Sequence, residues 1–367
     1  MHFWSSYMIM HGNQVVADIR RDGTCTIYAP EFMPYNLYLE EQAENDIELR
    51  IQNLDNFYYW CASRVLSLDR EYAKEILNSI GATQATTDRD RAGIALSYHC
   101  LSLMDIYWTK EQDEQVSFED INLYDNHLEK AFIDVTLRGK QLTIQNSHLI
   151  ADDLATNGCF PKAWIRKADG FWLMKDGGIE AVEHELLASR ICRCFDVNQV
   201  GYEEGFYDGQ KVSMSKLMTS PNVSIVSMEN FEIYAKNHDI DKMEYILELD
   251  KYSYYMMNVV DYLIGNIDRH WGNWGLFVDN ETNKPIRLYD LMDFNKAFQA
   301  YDTLEGARCL TCDKTMTQKE AAIEAVKIVG LNQICEVQPE WFSDDKKREM
   351  FCRRLNLLRR NILPRKV

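Results

Sequence analysis

Hydrophobic and polar positions follow a helical period in the middle of the chain and a strand-like pattern directly afterwards. Between residues 254 and 264 apolar residues recur every three or four positions, and Gly265 is a residue type that ends helices. Two short apolar runs, 274–278 and 286–289, flank the turn-forming segment 279–285. The pattern predicts a buried helix, a polar loop and then a β-hairpin.

A similar change of pattern occurs upstream. Alternating residues from 162 to 166, a turn at 167–170 and an apolar run at 171–174 predict another β-hairpin, which ends at Lys175. After Gly177-Gly178, apolar residues recur from 182 to 195 on one face of an amphipathic helix. The sequence therefore predicts two hairpins, each next to a helix.

Residues 1–150 show a mixed pattern of their own. Three short runs predict a small antiparallel sheet, and three longer segments with helical spacing predict helices. The predicted strands are 7–11, 15–19 and 24–28, and the predicted helices are 47–66, 70–80 and 90–108. Two more helices are predicted at 317–331 and 339–363. The fold class is therefore α+β, with an N-terminal accessory domain that is mostly helical.

Composition limits the classes of partner. The chain has 367 residues, 46% of them hydrophobic, enough for two or three cores. Its formal net charge of -17 disfavours direct nucleic-acid binding and anionic membranes. No apolar run is long enough to cross a bilayer and no secretory signal opens the sequence, so we expect a cytoplasmic protein without membrane contact. Because the cytoplasm is reducing, we expect the ten cysteines to form no disulfide framework.

The loop after the buried helix carries candidate chemistry. Asp268 and Asn273 lie on it, five residues apart, and the predicted hairpin brings Asp290 to its open end near Asn273. Magnesium prefers oxygen ligands and takes few from the protein, so Asn273 and Asp290 are candidate ligands. Asp268 is then a candidate base for an attacking hydroxyl. The same residues also fit a plain polar loop, so this interpretation needs support elsewhere in the chain.

The upstream hairpin supplies that support. Gly158, next to Asn157, allows backbone amides to approach phosphate oxygens, and Lys175 lies at the far end of the returning strand. Either Glu183 or Glu185 on the following helix could hold this lysine. The order of glycine loop, lysine, glutamate, acid, amide and acid is typical of kinases.

The chain resembles the HipA-like serine/threonine kinases in two motifs. Residues 266–273 match the catalytic loop pattern N-x-D-x-H-x-x-N, and Tyr289-Asp290 matches the Y-D pair that carries the metal aspartate. The resemblance covers roughly residues 151–367. It implies a two-lobed protein-kinase-like fold, with a smaller lobe at 151–218 and a helical larger lobe at 219–367.

The resemblance also implies roles and partners. ATP and Mg²⁺ would be the cofactors, with Asp268 as catalytic base, Asn273 and Asp290 as metal ligands, and Lys175 as the ATP lysine paired with Glu185, or failing that Glu183. Asn157, Gly158, Lys162 and His270 complete the candidate nucleotide-binding residues, and 214–218 is the candidate adenine-contacting hinge. The substrate would be a protein serine or threonine, and a protein regulator or antitoxin is a possible partner class.

Two alternatives to a serine/threonine protein kinase stay open. Phosphatidylinositol kinases share the spelling D-R-H-x-x-N at 268–273, so a lipid or small-molecule acceptor is the second hypothesis. A nucleotide-binding pseudokinase is the third hypothesis.

Other features of the sequence add no further site. The pair Cys309 and Cys312 has zinc spacing but lacks further ligands, and the basic last helix is typical of a solvated face. We expect the N-terminal extension to be a regulatory or substrate-recruiting domain packed on the smaller lobe.

Overall fold

The computed structural model describes residues 6–65, 87–126, 162–207 and 209–362. Elements are numbered over these residues. The strands are β1 Ser6–His11, β2 Gln14–Arg20, β3 Cys25–Ile27, β4 Tyr107–Glu111, β5 Lys162–Lys167, β6 Gly170–Lys175, β7 Tyr202–Tyr207, β8 Gln210–Lys216, β9 Val223–Ser227, β10 Gly275–Asp279 and β11 Lys284–Leu288. The α-helices are α1 Ile47–Ala62, α2 Asp88–Ser97, α3 Phe118–Ile121, α4 Ile179–Cys192, α5 Met228–Asn237, α6 Lys242–Ile264, α7 Gln318–Val329 and α8 Asp345–Asn361. The predicted helix 70–80 lies outside the described residues.

The N-terminal sheet has the antiparallel order β3-β2-β1-β4. Its three predicted strands are confirmed, and β4 is an addition. The prediction of one helix over 90–108 was wrong, because α2 ends at Ser97 and the chain returns as a strand. His99 and Cys100 adopt positive φ angles of 61° and 55°, which end the helix. The aromatic and β-branched run that follows then pairs with β1.

The smaller lobe is an antiparallel sheet of order β5-β6-β8-β7 with α4 packed against β7 and β8. The predicted hairpin is confirmed, since β5 and β6 pair along their length and Lys162 lies opposite Lys175. β6 also pairs with β8, where Lys175 lies opposite Ser213. Lys175 is therefore on a strand with a neighbour on each side, which fixes its backbone.

The larger lobe is built around α6. Asp241 caps its N-terminus by accepting hydrogen bonds from the backbone amides of Met243 and Glu244, at 2.9 and 3.0 Å. Gly265 ends it in the left-handed conformation, as predicted, with φ of 61°. The predicted hairpin that follows is confirmed as β10 and β11, and β9 completes a three-stranded sheet. The polar loop is thus fixed between a buried helix and a sheet.

Two buried cores lie beneath these elements. The first joins α4 to the larger lobe. The second belongs mainly to the N-terminal domain, where Phe57, Trp60 and Trp108 are fully buried, and it continues into the smaller lobe through Trp164 and Phe171. The N-terminal domain therefore shares hydrophobic contacts with strands β5 and β6 of the smaller lobe. Among the described residues, no helix combines the length and apolar character needed to span a bilayer.

Candidate active site

A buried ion pair links the smaller-lobe sheet to its helix. Lys175 Nζ on β6 lies 3.0 Å from Glu185 Oε1 on α4, and the Glu185 side chain is only 1% exposed. The Ser213 hydroxyl on β8 donates a hydrogen bond to the other carboxylate oxygen of Glu185. Glu183 instead faces Lys211, at 3.7 Å, on the solvent side. Of the two glutamates left open by the sequence, Glu185 is the one in contact with Lys175.

A second carboxylate meets the same lysine. Asp293 Oδ1, from the segment after β11, lies 3.0 Å from Lys175 Nζ. The Tyr202 hydroxyl accepts a hydrogen bond from the Asp293 backbone N–H at 3.0 Å and lies 3.5 Å from Lys175 Nζ. Asp293 has a φ of 60°, an uncommon conformation for a residue other than glycine that is often retained at functional sites.

The charges at this junction stabilise one another. Burial disfavours the ammonium of Lys175, but Asp293 and Glu185 together raise its pKa well above 10.5. Burial likewise acts to raise the pKa of Asp293, but the positive charges of Lys175 and Lys162 outweigh it and lower that pKa to about 2. Lys175 and Asp293 are therefore both ionised at neutral pH.

A buried arginine joins the loop after α6 to the segment after β11. Arg269 donates to both carboxylate oxygens of Asp261 on α6, at 2.8 and 3.1 Å. The same guanidinium donates to the backbone oxygens of Asn273 at 2.8 Å and Met292 at 2.5 Å. Asn266 Nδ2 also donates to Asp261, at 3.1 Å. One arginine thus holds α6, the loop and the residue before Asp293 in a fixed arrangement.

The loop itself places its polar side chains close together. Asn273 Nδ2 donates to the backbone oxygen of Asp268 at 2.9 Å, which leaves the amide oxygen of Asn273 as its ligating atom. The Asp268 carboxylate lies 3.0 Å from Lys296 Nζ. His270 is exposed, and its Nδ1 accepts a hydrogen bond from the Gly272 backbone at 3.1 Å. Asp268 and Asn273 are therefore brought together on one tight turn.

Asp290 has a different partner from Asp293. It lies 2.8 Å from Arg287, three residues earlier on the same strand end, and both side chains are partly exposed. Asp293 is the aspartate that contacts Lys175, and the pattern analysis of the sequence missed it. The missed signal was Asp293-Phe294-Asn295, which differs in one residue from the D-F-G sequence whose aspartate binds Mg²⁺ in protein kinases. Arg269, Asp261 and Tyr202 were missed as well.

Some of the remaining candidate residues lie within the described part of the chain, and others lie outside it. Lys162 begins β5 opposite Lys175, near enough to lower the pKa of Asp293. The candidate hinge 214–218 covers the end of β8 and the first residues of the connection to β9. Asn157 and Gly158 lie outside the described residues. The phosphate loop that they form stays a prediction.

The donor set fits magnesium shared with a nucleotide. Among the described residues, no group of three or more His, Cys, Asp or Glu side chains is arranged to hold a metal alone. Magnesium typically takes one or two protein oxygens and completes its shell with water and phosphate. Asp293, with an ionised carboxylate, and Asn273, with its amide oxygen, supply oxygen donors of that kind.

Comparison with solved structures identifies the class of fold. The HipA chain of a HipA, HipB and operator DNA complex from Shewanella oneidensis MR-1 is 12% identical, with a TM-score of 0.52, over 97% of this chain and 96% of that one. The fold is thus a mixed α+β, kinase-like fold. A Helicobacter pylori proinflammatory kinase, CtkA, is 15% identical, with a TM-score of 0.40, over 55% of this chain and 90% of that one. No protein-family model and no curated protein sequence matches the chain.

Proposed function

We propose that this protein is an ATP- and magnesium-dependent kinase that transfers the γ-phosphate to a serine or threonine of a protein. The observation that carries the proposal is the contact of Lys175 with both Glu185 and Asp293, at 3.0 Å each. A lysine held by a helix glutamate and next to a metal-binding aspartate is the arrangement that positions nucleotide phosphates in kinases.

The catalytic loop supplies the remaining groups. Asp268 accepts the proton of the acceptor hydroxyl, and Asn273 would offer its amide oxygen to a bound metal. Asp293 is the carboxylate ligand favoured by geometry, since it lies beside Lys175, while Asp290 stays the candidate favoured by motif spelling. Arg269 supports this division of roles because it bonds the backbone of both Asn273 and Met292, the residue before Asp293.

Nucleotide binding involves the smaller lobe. Lys175 would meet the phosphates, with Lys162, Asn157 and Gly158 beside them, and His270 would lie near the nucleotide on the loop side. Magnesium would supply charge neutralisation between the phosphates. Lys175 is buried and held by two carboxylates, so its ammonium would meet the phosphates in a fixed position. A protein regulator is the proposed partner class besides the substrate.

The test is phosphate transfer from ATP labelled on its γ-phosphate, with magnesium. Wild type and Asp268→Asn are compared side by side, and transfer is scored on the protein itself and on a cell lysate. We expect label on protein serine or threonine with the wild type. We expect a loss of about 10²-fold or more with Asp268→Asn, because the general base is removed while the shape of the side chain is kept.

The outcomes separate the acceptor classes. Transfer to a lipid or a small molecule, with none to protein, would refute the proposed substrate but keep the phosphotransferase. Nucleotide binding without transfer to any acceptor would indicate a pseudokinase. Equal rates for wild type and Asp268→Asn would show that Asp268 is not the base.

A further inference from the structure

Lys296 lies at the candidate catalytic base without any role assigned to it by motif or by comparison. Its Nζ is 3.0 Å from Asp268 Oδ2, and the two side chains are 34% and 22% exposed. It follows Asp293 by three residues in the chain. One short segment therefore brings a carboxylate to Lys175 and an ammonium to Asp268.

The backbone around Lys296 is fixed, although its side chain reaches solvent. Phe294 and Ala297 are fully buried on either side of it, and the Ala297 N–H donates to the Phe294 carbonyl at 2.9 Å. The Phe298 N–H donates to the Ile264 carbonyl, at the end of α6, at 2.8 Å. The lysine is thus anchored at its Cα next to the catalytic loop, while its terminal ammonium stays free to change partners.

Two other cations of this site, Arg269 and Lys175, each keep buried partners. Arg269 is buried and makes four hydrogen bonds, to Asp261 and to two backbone oxygens. Lys175 is buried between Glu185 and Asp293. Breaking either set would leave carboxylates unpaired in a poorly solvated place.

The Lys296 pair differs in this respect. A partly exposed ion pair is weak, so an approaching anion can replace Asp268 as the partner of Lys296. The exchange also frees the Asp268 carboxylate to accept a proton.

We propose that Lys296 is a catalytic residue that stabilises the transferring phosphoryl group, and that it exchanges Asp268 for the γ-phosphoryl oxygens as the transition state forms. This inference rests on the proposed function. In the step, the acceptor oxygen bonds to the γ-phosphorus, and the bond from that phosphorus to the β,γ-bridging oxygen breaks. The electron pair leaves with ADP, and the acceptor proton passes to Asp268. Lys296 keeps its proton and neutralises charge on the phosphoryl oxygens.

The first experiment compares Lys296→Gln and Lys296→Arg with the wild type. The control is Lys236→Gln, a lysine on α5 with 74% side-chain exposure. For Lys296→Gln we expect kcat to fall by about 10²-fold, with the ATP dissociation constant changed less than about threefold, since the contact forms in the transition state. Lys296→Arg should recover part of the rate because it keeps the charge, and Lys236→Gln should match the wild type.

A double-mutant cycle with Asp268→Asn separates two mechanisms. If Lys296 acts on the phosphoryl group, Lys296→Gln still lowers the residual rate of Asp268→Asn by a similar factor. If Lys296 only orients Asp268, the second substitution has no further effect, and the proposal is overturned. Melting temperatures of all the variants identify any that fail to fold, and the arginine variant then decides the result.

The remaining outcomes are equally decisive. A wild-type kcat in Lys296→Gln overturns the inference and leaves the proposed kinase activity intact. A weaker ATP affinity with unchanged kcat also overturns it, because the lysine would then serve ground-state binding alone. If the wild type transfers phosphate to no acceptor, the proposed function fails first, and this inference fails with it.

Discussion

Asp293 lies 3.0 Å from Lys175, and this contact joins the segment after β11 to the strand that carries the candidate ATP lysine. It also shows which of two nearby aspartates lies closest to the candidate nucleotide site. Asp290 comes three residues earlier and is paired with Arg287 at 2.8 Å. The Y-D motif and the geometry therefore point to different carboxylates for the metal.

Substituting the two aspartates separately decides between them. We expect Asp293→Asn to lower kcat by about 10²-fold or more, because it removes the carboxylate beside Lys175 that would neutralise and hold the metal. Asp290→Asn should keep kcat within about threefold of wild type, since a partly exposed pair with Arg287 is lost. The measurement is steady-state transfer at several magnesium concentrations. The magnesium needed for half-maximal rate should rise only in Asp293→Asn.

The opposite pattern, with Asp290→Asn inactive and Asp293→Asn active, would return the metal role to the motif aspartate. Equal, severe losses in both would mean that the whole segment acts together. Circular dichroism of each variant confirms that the fold is retained.

The sequence predicted the elements around the site because their signals are local. The helical spacing before Gly265, the turn-forming run between β10 and β11, and the hairpin ending at Lys175 are each set by neighbouring residues. The helix predicted over 90–108 failed for the same reason. A local pattern could not predict the turn at His99 and Cys100, or the pairing of 107–111 with a strand about a hundred residues away.

Contacts between distant parts of the chain were beyond the sequence pattern. The contact of Lys175 with Asp293 spans 118 residues, and nothing in the spacing of either residue specifies it. Arg269 matched a motif position, but its bonds to Asp261 and Met292 depend on how α6 and the segment after β11 fold back on the loop. Such partners are set by tertiary packing, so a motif names the residue without its neighbours.

Arg269 should be a main determinant of the shape of the loop. We expect Arg269→Lys to lower the free energy of unfolding by about 2 kcal/mol or more, because an ammonium cannot reproduce the four directed hydrogen bonds of the guanidinium. Arg287→Lys is the matched control, since Arg287 is partly exposed, and it should change stability by less than about 0.5 kcal/mol. Urea titration followed by tryptophan fluorescence measures both. Equal effects would show that Arg269 has no special structural role.

Asn283, between β10 and β11, ties the larger lobe to the N-terminal domain. Its side chain donates to the backbone oxygens of Glu31 and Met33, at 2.9 and 3.3 Å, and accepts from the Tyr107 hydroxyl at 3.0 Å. Its backbone oxygen accepts from the Tyr35 hydroxyl at 2.8 Å. These bonds connect residues more than 170 positions apart, so they hold domains rather than a local turn.

Two substitutions at Asn283 separate side-chain bonding from backbone conformation. Its φ of 53° is one that glycine adopts freely. We expect Asn283→Gly to lower the free energy of unfolding by about 2 kcal/mol through lost hydrogen bonds. Asn283→Ala should lose about 1 kcal/mol more, because alanine strains the left-handed backbone. Glu281→Ala, an exposed neighbour, should be nearly neutral. Urea titration again provides the measurement. An unchanged free energy of unfolding in Asn283→Gly would show that these hydrogen bonds do not hold the two domains together.

The buried charges predict how stability varies with pH. In the unfolded chain Asp293 has its ordinary pKa of 3.8, and in the fold the cations beside it lower that pKa to about 2. A lowered pKa means that the ionised form stabilises the fold, so this contribution is complete above about pH 4 and is lost as the pH falls toward 2. Lys175 acts in the opposite sense, since its raised pKa gives a contribution that is complete below pH 10.5 and lost only in stronger alkali.

The loss of stability at low pH can be measured against Asp293→Asn, whose side chain cannot ionise. We expect the difference in free energy of unfolding between wild type and this variant to stay constant from about pH 7 to pH 5 and to shrink below about pH 4, as the wild-type carboxylate takes up its proton. Asp290→Asn serves as the control for removing one carboxylate without a buried ammonium partner. A difference that stays flat down to pH 3, or that grows on acidification, would contradict a stabilising Asp293 to Lys175 pair.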